Sequence, residues 1–280
     1  MTESELTRPD GATLALRHWP LPDGERRATV VLVHGLGEHS GRYGAVAQAL
    51  NALGCAVRGY DHIGHGRSSG PRGVLPQEDR LLTDLAAVVD ATRAAMPAGE
   101  PLIVLGHSMG GLVAATFAAR RLRPIDALVL SSPALAVFTN ALQRLLLATL
   151  PRWLPHLCIA NGLNPEYLSH DAAVVAAYVN DPLCHDRIST RLAHFLAFTG
   201  ADTLRLAGAW TVPTLLMWAS DDRMVDPAGS RALAAQAPPG IVTAHAFAGL
   251  YHEIFNEVDP APVFNALRQW LGDYLSKKGR

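Results

Sequence analysis

Three residue types, met in one order along the chain, have the makings of an acyl-transfer catalyst. They are a serine framed by glycines in LGHSMGG (105–111), aspartates in WASDDRMVDP (218–227) and a histidine in GLYHEIFNE (249–257). A serine hydroxyl is nearly inert at neutral pH. It needs a base to take its proton, and the base needs an acid to orient it. The G-x-S-x-G pattern around Ser108 is weak by itself. Its setting strengthens it: apolar LIVL leads in, and GGLVAATFAARRL leads out with a helical pattern. A nucleophile elbow needs that strand–turn–helix order. Gly106 and Gly110 let neighbouring backbone approach while Ser108 stays exposed. The helix N-terminus that follows favours developing negative charge.

The base and acid follow from the same order. Of twelve histidines, His252 alone combines a place after the last strand with a loop location. His34, His65, His107 and His245 compete with it. His107 adjoins the serine and is expected to point elsewhere, and His245 lies within a strand. The acid is open among Asp221, Asp222 and Asp226. Adjacent Asp221 and Asp222 must point in different directions, so one can hold the imidazole while the other caps the turn or meets Arg223. Asp226 precedes Pro227 and could cap the following helix. Sequence position favours Asp222 over Asp226. Acyl transfer also needs donors for an oxyanion. The residue after the nucleophile supplies one, the Met109 N–H. Glycine-rich HGLGEHSGRY (34–43) supplies the second, with Leu36 N–H as the candidate. A second glycine-rich loop, DHIGHGRSSGPRG (61–73), lacks the GK[ST] ending of a phosphate cradle. It reads as a folded loop with Asp61 and Arg67 in structural roles.

These residues need a scaffold, and the apolar pattern describes one. Short, continuous apolar runs at 29–35, 55–61, 101–108, 126–133, 213–220 and 242–249 read as strands covered on both faces. Helical patterns at 43–53, 79–96, 109–123, 230–237 and 261–276 separate them, with Asp79 a candidate cap for the second. The alternating ATLALRHWP (12–20) adds an antiparallel edge strand. Strand–helix alternation makes this an α/β chain, with a mostly parallel central sheet and helices on both faces. The alternation stops over 134–209, a stretch too long for a structureless loop. It reads as a helical cap inserted in a core made of 1–133 and 210–280, over the strand ends where ligands bind. Apolar residues at Val137, Phe138, Ala141, Leu142, Leu145, Leu146 and Leu150 give the cap one wide apolar face, with Asn140, Gln143 and Arg144 elsewhere. That face either packs on the core or meets lipid and lines an acyl channel.

Composition excludes other classes. Of 280 residues 49% are apolar and 18% charged, so a large core is available, and the formal net charge is −1. With no basic stripe, nucleic acid is not expected as a partner. No run of about 18 apolar residues is present to span a membrane. The polar start MTESELTRPDGATL has no secretory apolar region. Cys55, Cys158 and Cys184 are widely spaced without a C-x-x-C pair, so neither zinc nor redox chemistry is implied. A cytoplasmic protein is expected.

The constellation resembles the monoacylglycerol lipase and lysophospholipase group of the α/β-hydrolases. The matching segments are VLVHGLGEHSGRY, DHIGHGRSSG, LGHSMGG, NDPLCH, LLMWASDDRMVD and YHEIFNE, spanning residues 31–257. The resemblance implies Ser108 as nucleophile, His252 as base, Asp222 as the triad acid, and Leu36 and Met109 at the oxyanion-hole positions. The position before GEHSGRY is often smaller than leucine in that group. A narrower acyl access is therefore expected, with the backbone donor unaffected. Caps of this group are apolar and contact membrane, which favours the lipid-facing reading of 137–154. The implied activity is hydrolysis of single-chain lipid esters such as monoacylglycerol, with no metal or organic cofactor. A small lipid ester is the expected partner, with possible peripheral membrane contact through the cap. A broad carboxylesterase shares the triad and differs in pocket length, and a non-catalytic binding protein on the same fold would usually lack one triad member.

Overall fold

The structure, a computed structural model, describes residues 1–21 and 26–278. The chain begins with strands β1 (Thr2–Thr7), β2 (Thr13–Trp19) and β3 (Ala28–Val33). Then α1 (Gly44–Asn51), β4 (Cys55–Tyr60), α2 (Arg80–Ala95), β5 (Leu102–His107), α3 (Ser108–Ala119) and β6 (Ala127–Ser131) follow. After a long insertion come β9 (Thr214–Ala219), α7 (Ala228–Gln236), β10 (Val242–Phe247) and α8 (Ala261–Lys278). The insertion itself holds α4 (Ala141–Thr149), β7 (Cys158–Ala160), α5 (Ala172–Asn180), β8 (Arg187–Ser189) and α6 (Thr190–Leu204).

Eight strands pair in the order β1-β2-β4-β3-β5-β6-β9-β10. The β1–β2 and β2–β4 pairs are antiparallel and all others parallel. The fold is therefore α/β with a mostly parallel sheet. The central strands are buried on both faces, which is why their sequences are continuously apolar. Val31, Val33, Leu102 and Val104 face the layer that includes α2 and α3. Their neighbours Val30, Leu32, Ile103 and Leu105 face the layer of α1 and α8. The strand order reverses beside β3: β4 lies on one side and β5 on the other. A crevice opens at the carboxyl ends of strands at such a point.

One strand was not expected, and one expected cap is not formed. The N-terminal residues 2–7, noted in the sequence only as polar and assigned to no element, form β1 on the sheet edge. TESELT leaves five of its six residues exposed, so burial wrote no apolar alternation into it. Asp79 precedes α2, but its side chain makes no capping hydrogen bond.

No strand of the insertion joins the main sheet. β7 and β8 make their own antiparallel ribbon. α6 packs on α3, where the Thr116 and Thr203 hydroxyls meet at 2.8 Å. Leu192 and Phe195 of α6 join the same apolar core as α3, so the insertion is rooted in the body of the molecule. α4 is different, since none of its residues is buried. Asn140 and Gln143 form a reciprocal capping box at its start, which fixes where the helix begins. Among the described residues, no helix is long and apolar enough to cross a membrane.

Candidate active site

Ser108 stands where β5 becomes α3, with φ at +53°. Left-handed backbone is costly for a residue with a Cβ, and such strain collects at functional positions. The flanking glycines make the turn possible. A Cβ on Gly106 would collide with the Gly110 carbonyl, and one on Gly110 with the Val33 carbonyl. The elbow is thus pressed against both the start of its own helix and the end of the neighbouring strand.

The loops after β9 and β10 bring Asp222 and His252 together. His252 Nδ1 lies 2.7 Å from Asp222 Oδ2, and both side chains are buried. An ionised carboxylate only accepts, so Nδ1 carries the proton and Nε2 keeps its lone pair. The other Asp222 oxygen accepts the N–H groups of Met224 and Val225 (2.8 and 3.0 Å). Burial raises the Asp222 carboxyl. The charge and hydrogen bond of His252 and these two amides outweigh burial and hold it below the ordinary aspartate value. Burial pulls the His252 imidazole down. The charge and hydrogen bond of Asp222, with Glu253 and Glu38, outweigh it and leave the group above its ordinary value.

The remaining aspartates go elsewhere. Asp221 accepts the Gly249 N–H at 2.8 Å, tying the β9 loop to the β10 loop. Asp226 accepts the Ala228 N–H at 2.8 Å at the start of α7. Asp61 is a buried hub that accepts Ser40 and Arg67 backbone N–H groups, both at 2.9 Å.

The competing histidines also find places. His34 holds the His62 N–H through Nε2 and the Gly35 carbonyl through Nδ1, and His65 is buried beside it. His245 lies on edge strand β10. His107 departs from expectation. Its ring does not point away but packs 4.8 Å from that of His252, with Nδ1 3.0 Å from Ser131 Oγ. Burial, reinforced by His252, pushes its pKa down to about 3, so it is a neutral wall of the site.

Gly35, Leu36, Ser108, Met109 and His252 line one cavity of about 380 Å³. Among the described residues, the Leu36 and Met109 N–H groups are engaged by no protein acceptor. No hydrogen bond joins Ser108 Oγ to the His252 ring among those residues; apo sites often tighten such bonds only when substrate arrives. The rest of the cavity is largely apolar and comes from the insertion, including Leu146, Leu147 and Leu150 and the α6 residues Ala193, Leu196 and Ala197. α4 is therefore apolar on two sides. Leu146 and Leu147, with Leu150 just past the helix, line the cavity, whereas Leu142 and Leu145 are 65% and 61% exposed.

The insertion also grips the loops that carry the site. Tyr167 and Leu168 carbonyls accept the His252 and Glu253 N–H groups (3.4 and 2.8 Å). The Gly37 carbonyl accepts the His185 N–H at 2.9 Å and the Tyr178 hydroxyl at 3.3 Å. Glu38, Arg42 and Glu253 were not singled out from sequence, yet they form a buried ionic cluster at the edge of the cavity. Their signal was present in the charges of GEHSGRY and in the glutamate directly after His252.

A mostly parallel sheet, a strained serine elbow and an Asp–His pair on the last two strand loops define an α/β-hydrolase. The chain belongs to the hydrolase family described as serine aminopeptidase, S33, whose model matches residues 24–259. It is 36% identical over 257 residues to a monoacylglycerol lipase of Mycolicibacterium smegmatis, covering 91% of each chain. A crystal structure of Paleococcus ferrophilus monoacylglycerol lipase superposes with a TM-score of 0.85 at 35% identity, covering 93% of this chain and 99% of that one. A soluble variant of Saccharomyces cerevisiae monoglyceride lipase, solved with a substrate analog, gives 0.88 at 26% identity, covering 97% and 94%. The chain is thus a monoacylglycerol-lipase-like α/β-hydrolase.

Proposed function

We propose that the protein hydrolyses carboxylic esters of single-chain lipids, most aptly monoacylglycerol, through a serine-bound acyl intermediate. The observation that supports this reading is one cavity joining Ser108 and His252 to an apolar chamber lined by residues between Ala134 and Ala197; residues 134–209 are read here as a cap over the core. His252 Nε2 takes the Ser108 proton as Oγ attacks the ester carbonyl. Asp222 holds the tautomer and stabilises the imidazolium. The Leu36 and Met109 amides receive the oxyanion, a contribution of about 3 kcal/mol per donor in comparable sites. The alcohol leaves with the proton from His252, and water repeats the cycle on the acyl-serine.

The acyl chain lies against the leucines and alanines of α4 and α6. Leu142 and Leu145, with Phe138 and Trp153 also exposed, form an apolar outer surface suited to touching a lipid interface while the ester passes inward. A peptide substrate is disfavoured. The carboxylates on the cavity wall, Glu38 and Glu253, are both paired with Arg42, which leaves neither free for an α-ammonium group.

A panel of p-nitrophenyl esters from C2 to C16, run beside monoacylglycerol, tests the substrate. Preference for medium or long chains and glyceride turnover support the proposal. Confinement to C2–C4 esters would make the protein a short-chain carboxylesterase instead.

A further inference from the structure

The polar edge of the cavity carries a buried cluster that the acyl-transfer scheme above leaves without a role. Arg42 Nη1 and Nη2 donate to the two oxygens of Glu253 (2.6 and 2.9 Å). Nη1 also donates to Glu38 Oε2 at 2.7 Å. Glu38 Oε1 in turn accepts the Gly35 N–H and the Tyr43 hydroxyl, both at 2.6 Å. The side chains of Glu38, Arg42 and Glu253 are 5%, 11% and 4% exposed. A continuous line of charge-assisted hydrogen bonds therefore runs from the residue after His252 to the residue before Leu36. It links the two loops whose spacing decides whether base and oxyanion donor meet the same carbonyl.

The charge count adds a second observation. Two carboxylates against one guanidinium leave a formal charge of −1, and burying unbalanced charge is expensive. Ordinary packing has no use for that excess. A cation that appears beside it during the reaction does, and the imidazolium of His252 is such a cation. We propose that Glu253, linked through Arg42 to Glu38, is a positioning residue: the triplet fixes the gap between the histidine loop and the oxyanion loop and supplies a standing negative charge that favours the His252 imidazolium. The proposal rests on the serine–histidine reading given above.

Other groups around His252 do not supply that charge, apart from Asp222. From the β9 loop, Arg223 is turned over the Tyr167 and Tyr251 rings at 5.2 and 5.0 Å. From the β5–α3 junction, His107 is neutral, its pKa about 3. From the insertion, the Tyr178 hydroxyl is spent on Gly37. On the histidine's own loop, Glu257 is held by His170 and the Tyr251 N–H.

The test is the Glu253→Gln variant, which keeps the shape and one acceptor for Arg42. Its pH profiles of kcat and kcat/KM are measured with a soluble p-nitrophenyl ester and with monoacylglycerol. The acid limb should move down by about 0.5–1 pH unit, because a neighbouring anion that raises the imidazole has been removed. Plateau kcat should fall about tenfold with KM steady for both substrates. Glu38→Gln should lower kcat by a similar factor, again at steady KM. An unmoved acid limb in Glu253→Gln, with only thermal stability reduced, overturns the proposal. So does a rise in KM confined to the glyceride, which would make Glu253 a head-group contact. Failure of the underlying reading looks different: the wild type would release no p-nitrophenol, or Ser108→Ala would still release it.

Discussion

Ser108 sits in left-handed backbone because two strands and a helix meet there with no room for more than glycine at 106 and 110. Ser108→Ala removes only the oxygen that serves as nucleophile in the proposed mechanism. It should leave the fold intact and abolish covalent labelling by a fluorophosphonate, which intact-mass measurement reads directly. Asp222→Asn should lower kcat by about 10³–10⁴-fold, because an amide at that position no longer enforces the Nδ1–H tautomer. His252 is held above its ordinary value of 6.5, and in the proposed mechanism only its neutral form can accept the serine proton. Activity should therefore be complete at alkaline pH and fall as pH drops through a midpoint above 6.5, read from kcat/KM against pH. Much of the candidate site was legible in sequence. Order along the chain selected Ser108 and His252, while the choice among three neighbouring aspartates depended on side-chain direction. The orientation of His107 was not legible, because a residue's number says little about which way a strained turn aims its neighbour.

Among the elements, the strands carried the clearest signal. The parallel strands β3, β5, β6 and β9 are buried at every position and had to be written in apolar residues. β1 is solvent-exposed and was not. α4 lies between these cases. Its leucines are spread around the helix because one side lines the cavity and another faces out, so periodicity showed a wide apolar face without saying what it meets. That division gives a clean experiment. The double variant Leu142→Ser, Leu145→Ser alters residues outside the cavity lining. It should leave hydrolysis of p-nitrophenyl acetate unchanged and lower turnover of monoacylglycerol in vesicles about tenfold or more, through lost interfacial binding. Equal loss on both substrates would mean that α4 holds the site together rather than meeting lipid.

At the scale of the molecule, buried histidines make the fold sensitive to acid. Burial holds His62 and His65 far below 6.5 and His107 at about 3. In the unfolded chain these groups take up protons near pH 6.5, so that state binds more protons as pH falls, and stability is lost on the acid side. One pH unit below 6.5 the effect is about 1.4 kcal/mol for each fully buried histidine. His252, raised in the fold, works in the opposite direction: its contribution is full below its unfolded value and fades as pH rises through its folded one. The lowered histidines outnumber it, since burial also pulls His34 down and takes His185 to about 4. The denaturant midpoint should fall steeply between pH 6.5 and 5, and His62→Asn should flatten that slope if the variant folds. Of these histidines, His62 and His65 pack with His34 at the base of the loops after β3 and β4, so acid should loosen the loop that carries Leu36 before the sheet gives way.

The central claim concerns the ester bond itself. Purified protein would be mixed with monooleoylglycerol in mixed micelles, and samples would be quenched in acid for product analysis and intact-mass spectrometry. One fatty acid and one glycerol should appear per ester cleaved, with a transient oleoyl adduct on Ser108, and all three should vanish in Ser108→Ala. Absence of release by the wild-type protein, or release undiminished in Ser108→Ala, would contradict the account.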